Sequence, residues 1–155
     1  MKEIQTDKKA RESTDGVHLW LVLMKAFHSL SAFAAATLRE SGLSETDFHV
    51  LEALLHKGPL PVNALGPKVY LTPGSISTAV ERLHERGLVS RTDNEKDRRI
   101  RVVALTGSGR KLIERVFALH AKQINALTEV LSPKERRRVT EGLKLLGKHA
   151  AQSLK

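Results

Sequence analysis

The sequence contains no cysteine. Disulfides, thiolate-ligated zinc, thiol nucleophiles and thiol redox sensors are therefore excluded whatever the fold. Aromatic residues are scarce, at 4% of 155 residues, so a core must be built from Leu, Val, Ile and Ala. That profile suits helices packed on helices better than a β-sandwich. Acids are outnumbered: 17 Asp and Glu face 26 Lys and Arg, a net charge of +9. The excess calls for an anionic partner, either nucleic acid or an anionic membrane surface. Long apolar runs are missing too, none approaching the roughly 20 residues that cross a bilayer. The stretch 1–14 is polar and mixed in charge, without the apolar core of a signal peptide. The expectation is a cytoplasmic protein with no membrane partner.

Catalytic signatures are absent as well: there is no P-loop, no dinucleotide glycine motif and no nucleophile elbow, so no enzyme is expected. The seven histidines show neither His-Glu-x-x-His spacing nor a ligand cluster. His49 and His56, two turns apart, could share a helix face, which keeps metal responsiveness as an alternative only. No cofactor and no metal are expected.

What is present is helical periodicity with clear stops. From Val17 to Leu38, apolar residues such as Leu21, Met24, Leu30 and Phe33 fall on more than one helix face, and Gly42 marks the end. A helix apolar on several faces has to bury more than one, which a second copy of the chain would allow. Ser44 to Asp47 opens a second helix with acids at its positive end, and Phe48, Leu51, Leu54 and Leu55 form its stripe. A short helix follows, with Asn63 expected as its cap and Pro67 in its first turn.

Thr72-Pro73 opens the next helix as cap and first helical residue. Ile76, Val80 and Leu83 give it an inner face, and Gly87 closes it. Leu88–Thr92 and Ile100–Leu105 are β-prone and flank a charged tip, a hairpin pattern. Thr106 caps a long helix, and Ser132-Pro133-Lys134-Glu135 is a capping box opening the last one, with Val139, Leu143 and Leu146 as its stripe. The basic cluster Lys134 to Arg138 reads as a solvated helix face.

Residues 60–105 thus run helix, turn, helix, hairpin. Such an arrangement presents the N-terminal turns of its second helix to the major groove of DNA. Those turns hold Thr72, Pro73, Gly74, Ser75, Ser77 and Thr78, small enough for close approach and rich in hydroxyls. Arg82, further along, is expected to reach a guanine edge or a phosphate. The hairpin concentrates Lys96, Arg98, Arg99 and Arg101, suited to a narrow minor groove. An architectural DNA binder without sequence preference, or one that needs no ligand, is the rival reading.

Here the chain resembles the MarR (multiple-antibiotic-resistance regulator) family, from about Gly16 to about Lys148. The likeness is most specific over Leu71-Thr72-Pro73-Gly74-Ser75-Ile76-Ser77-Thr78-Ala79-Val80-Glu81-Arg82-Leu83, over Arg86-Gly87-Leu88-Val89, over Asp97-Arg98-Arg99 and over Leu105-Thr106 with Gly109. It implies a mainly α fold with a small β-hairpin wing, a winged helix-turn-helix with N- and C-terminal dimerisation helices. The expected organisation is a lead at 1–14, a linking helix at 15–42, a DNA-binding lobe at 43–105, and a long helix plus dimerisation helix at 106–155. The resemblance also implies a homodimeric repressor on a pseudo-palindromic operator, with Arg99 in the minor groove oriented by Asp97. Finally it implies an effector pocket, for which Trp20, His28, Phe48 and His49 are the candidates and a phenolic or aromatic compound the ligand class.

Overall fold

A computed structural model describes residues 2–69, 72–93 and 101–154, and the side chains of residues 15–66, 72–93 and 101–154. Helix α1 spans Lys2–Leu38, so the stretch expected as a separate polar lead is continuous with the first helix. Its Lys, Glu, Gln, Ala and Arg residues are good helix formers, and polarity alone does not stop a helix. A 3-10 turn at Arg39–Ser41 ends in Gly42 at φ 67°, the left-handed conformation in which a Cβ would be strained.

Ser44 then caps α2 (Glu45–Lys57) through a reciprocal capping box with Asp47. Strand β1 (Leu60–Pro61) leads into α3 (Val62–Val69) and, after it, α4 (Pro73–Glu85). Strands β2 (Val89–Asp93) and β3 (Arg101–Leu105) precede α5 (Gly107–Thr128) and α6 (Pro133–Ser153). The caps read from the sequence at Thr72, Thr106 and Ser132 are all formed: each hydroxyl accepts from the backbone N–H three residues on.

Two local expectations need correction. Asn63 lies inside α3, which begins at Val62, and Pro67 is consequently the sixth helical residue rather than one of the first turn. The reason is β1: Leu60 and Pro61 pair with Val103 and Val102, so the chain enters α3 directly from a strand. The expected hairpin is therefore part of a three-stranded antiparallel sheet, in the order β1-β3-β2.

The chain divides into two compact units, Met1–Val116 and Phe117–Lys155. The first holds the core: Phe48, Leu51 and Leu54 of α2, Leu65 of α3, Ile76 and Leu83 of α4, Val89 and Val103 of the sheet, and Ile113 of α5. Burying each such side chain stabilises the fold by about 1.5–3 kcal/mol. The sheet and α2 together brace α4, so its axis is fixed while its opposite face stays bare.

One further expectation is overturned. The part of α1 and the following turn covering Asp15–Ser41 is long and apolar enough, by length and composition, to cross a membrane. No uninterrupted run announces it, because Ser, His and a single Lys are scattered among the apolar residues without offsetting them. Most of the large apolar side chains of this helix are exposed in the single chain, Trp20 at 57% and Phe27 at 63%, whereas Leu38 at its end is buried.

Candidate nucleic-acid interface

Helix α4 starts abruptly. Thr72 is extended and its hydroxyl accepts from the Ser75 backbone N–H at 3.2 Å, while Pro73 supplies the fixed φ of the first turn. Pro73, Gly74, Ser75, Ser77 and Thr78 are all exposed, while Ile76, Ala79, Val80 and Leu83 are buried. The Ser77 hydroxyl donates to the Pro73 carbonyl and the Thr78 hydroxyl to that of Gly74, each at 3.1 Å. With their protons used inside the helix, both oxygens present lone pairs outward, and a hydroxyl oxygen can accept two hydrogen bonds. The first two turns thus offer a narrow, acceptor-bearing ridge at the positive end of a helix dipole.

The junction of α4 with the sheet is tightly built. Gly87 turns at φ 66°, and its carbonyl accepts from the Thr106 hydroxyl at 2.8 Å. The Leu88 carbonyl accepts from the Thr106 N–H at 3.1 Å. Nδ1 of His84 donates to the Val89 carbonyl at 3.1 Å. Arg91 on β2 grips Glu81 on α4 with both terminal guanidinium nitrogens, Nη2 lying 3.0 Å from Oε1. Hydrogen bonding to Arg91, reinforced by its charge, holds the Glu81 carboxyl below its ordinary value of 4.5.

A carboxylate whose folded pKa is depressed stabilises the fold above its unfolded pKa, and that contribution is lost as pH falls through the folded value. Glu81→Gln should therefore lower the thermal midpoint at neutral pH, with the gap to the parent closing at pH 3. Melting curves at both pH values check this; a gap of the same size at both assigns the effect to packing.

Arg82 is placed otherwise than expected. Its Nε lies 3.1 Å from both carboxylate oxygens of Asp47, and Nη2 lies 2.6 Å from Oδ1 and 3.3 Å from the Ser44 hydroxyl. Asp47 is 1% exposed, so the guanidinium is the chief counter-charge of a buried anion, with Arg86 at 3.8 Å as the second. Hydrogen bonds to Asp47 hold the Arg82 guanidinium above its ordinary value. The polar face of a helix pattern shows that Arg82 leaves the core; it does not show a partner 35 residues away. Asp47, by sequence only a favourable charge at a helix start, carries one signal of its capping role, the Ser44-x-x-Asp47 spacing.

The other expected site residues fare differently. Arg101 is exposed on β3. Lys96, Asp97, Arg98 and Arg99 lie outside the described residues. Trp20 and His28 are exposed on α1. Phe48, expected to line a pocket, is 2% exposed and fills the core of the first unit, because its place beside Leu51 on the inner stripe of α2 points it inward. Its ring meets that of the exposed His49 edge-on at 5.7 Å, and His49 Nδ1 lies 3.6 Å from Glu52. Among the described residues, His, Asp and Glu form no group of three or more that could hold a metal ion.

A braced helix with a capped, small-residue N-terminus beside an antiparallel wing defines a winged helix-turn-helix DNA-binding protein. The MarR family profile matches residues 43–100. The chain is also 36% identical over 134 residues to the HTH-type transcriptional regulator MhqR of Bacillus subtilis (strain 168), a match covering 86% of this chain and 92% of that protein. It belongs to the MarR family of helix-turn-helix transcriptional regulators, proteins that act on DNA and not as enzymes. Among solved structures, Bordetella bronchiseptica BpsR, whose DNA binding is regulated by 6-hydroxynicotinic acid, is 25% identical with a TM-score of 0.76, over 84% of this chain and 98% of that one. The MarR family regulator AbsC of Streptomyces coelicolor shares the fold at 20% identity and a TM-score of 0.78, over 86% of this chain and 93% of that one.

Proposed function

We propose that this regulator is a homodimeric repressor that binds a pseudo-palindromic operator and leaves it when a small hydroxylated aromatic compound binds. The observation that carries the DNA reading is the exposed ridge of Pro73, Gly74, Ser75, Ser77 and Thr78 on a helix whose opposite face, Ile76, Ala79, Val80 and Leu83, is buried. Small side chains let the helix backbone approach base edges, and the outward lone pairs of Ser77 and Thr78 match the amino donors of adenine and cytosine in the major groove. The wing supplies the second contact. Arg99 enters the minor groove with Asp97 holding its guanidinium, flanked by Lys96, Arg98 and Arg101.

Dimerisation is supported by the apolar residues that α1 and α6 each leave uncovered, since monomers rarely expose such patches. In a DNA-binding family, a second protein chain is the natural cover for the membrane-length apolar stretch of α1. The ligand class follows BpsR, and Trp20, His28 and His49 are the aromatic and imidazole groups on the first two helices that would meet it. Such a ligand releases DNA only if it binds the DNA-incompetent arrangement more tightly.

The test starts from a duplex enriched by the protein from a random pool. Ser77→Ala and Thr78→Ala should each weaken binding to that duplex by about 1–3 kcal/mol for every hydrogen bond to a base that is removed, and relax the preference at one base pair per half-site. 6-Hydroxynicotinic acid titrated into the complex should release DNA and change the fluorescence of Trp20, the single tryptophan, with His28→Ala less responsive. Unchanged base preference in both variants would remove the ridge from the interface. DNA that stays bound throughout the titration would remove this acid as effector.

A further inference from the structure

Arg82 stands nine residues beyond Pro73, about 13.5 Å along the α4 axis, and one turn, about 6 Å, beyond Thr78. Its Nε and Nη2 are both directed at Asp47, and Nη2 also reaches the Ser44 hydroxyl. Asp47 in turn accepts from the Ser44 backbone N–H and donates its own N–H to the Ser44 hydroxyl. The first turn of α2 and the third turn of α4 are thereby joined by a charge-assisted network of fixed geometry. Leu51 of α2 and Val80 and Leu83 of α4 are buried, but apolar burial is non-directional and by itself leaves small rotations of α4 about its axis cheap. A planar guanidinium held through two of its nitrogens on a buried carboxylate resists such rotation.

We infer that Arg82 and Asp47 are positioning residues: they set the rotation of α4 that presents Ser75, Ser77 and Thr78 to base edges, and Arg82 itself makes no DNA contact. This rests on α4 being the recognition helix. It separates Arg82 from the exposed ridge, although both belong to the same polar face in the sequence. A misrotated α4 would still carry the basic surface of the lobe to phosphates, so binding without sequence preference should survive. Discrimination should not.

The experiment compares the parent with Arg82→Gln, Asp47→Asn and the double variant. Each is measured on the duplex enriched by the parent and on the same duplex with scrambled half-sites, across a salt series, below its own thermal midpoint. Each single variant should lose at least about tenfold in affinity for the enriched duplex while binding scrambled DNA within about twofold of the parent. The dependence of affinity on salt should keep the parent's slope, because every phosphate interaction is retained. The double variant should be no worse than the weaker single one, since both changes break the same link.

A slope reduced by about one unit in Arg82→Gln, with equal weakening on both duplexes, would make Arg82 a phosphate contact and overturn the inference. A changed preference at one base pair would overturn it in favour of base contact. If Asp47→Asn does not fold, Arg82→Gln alone still decides, because the slope and the two-duplex ratio are read on that variant. A parent that enriches no duplex overturns the reading of α4 itself, a failure distinct from either.

Discussion

Gly109→Ala should destabilise the protein by about 3 kcal/mol, at the upper end of what overpacking a core costs. Gly109 sits in the first turn of α5, where its backbone N–H donates to the capping hydroxyl of Thr106 at 3.0 Å. A Cβ there would lie 1.9 Å from the carbonyl oxygen of Leu88 and 2.8 Å from its carbonyl carbon. Those atoms are backbone and cannot swing aside as a flexible side chain would. Leu88 is also the residue that passes from α4 to β2, and its carbonyl already accepts from Thr106. Relief therefore requires moving α5, the wing or the end of α4. For a chain of this length the loss corresponds to about 6–12 °C in thermal midpoint. The control is Gly107→Ala, at the start of the same helix, where an added methyl meets nothing within 4 Å. Thermal melts of both variants check the prediction; equal midpoints would mean that the turn opens freely.

On the proposed homodimer, charge placed on either apolar helix face should separate the subunits and lower DNA affinity with them. Phe27 on α1 is 63% exposed and Leu143 on α6 is 47% exposed in the single chain. Phe27→Glu and Leu143→Glu each add a carboxylate where a partner chain would have to desolvate it. Sedimentation or light scattering should show monomers at micromolar concentration. Affinity for a two-half-site duplex should fall at least about 100-fold, because linked half-sites gain that much from effective concentration alone. A variant that remains dimeric would place that residue outside the interface.

Much of this architecture is legible because local rules determine it. The caps at Thr72 and Ser132 are read from adjacent residues, and the inner stripe of α4 from its spacing. The exposed apolar faces of α1 and α6 follow from the same counting of faces. Three kinds of feature are hidden. Strand β1 is too short to show alternation and exists because Leu60 finds Val103, a partner 43 positions along the chain. The pairing of Arg82 with Asp47 depends on the approach of α4 to α2, which no local spacing announces. Family likeness points Phe48 to a pocket, although its place on the α2 stripe already points to the core. Hydrophobic averaging also escapes inspection: α1 carries no unbroken apolar run, yet passes the length and composition test for a membrane span.

The brevity of β1 has a consequence for solubility. A sheet edge with free N–H and C=O groups invites strands from other molecules. Here the edge strand is two residues long, and one of them, Pro61, has no N–H to offer. An incoming strand would find too few donors to form a ladder, so this side of the wing sheet is closed to edge-to-edge growth. On the far side, β2 ends in Arg91, Thr92 and Asp93, charged and polar residues that make apolar strand stacking unfavourable. Both edges of this sheet thus discourage the addition of strands from other molecules.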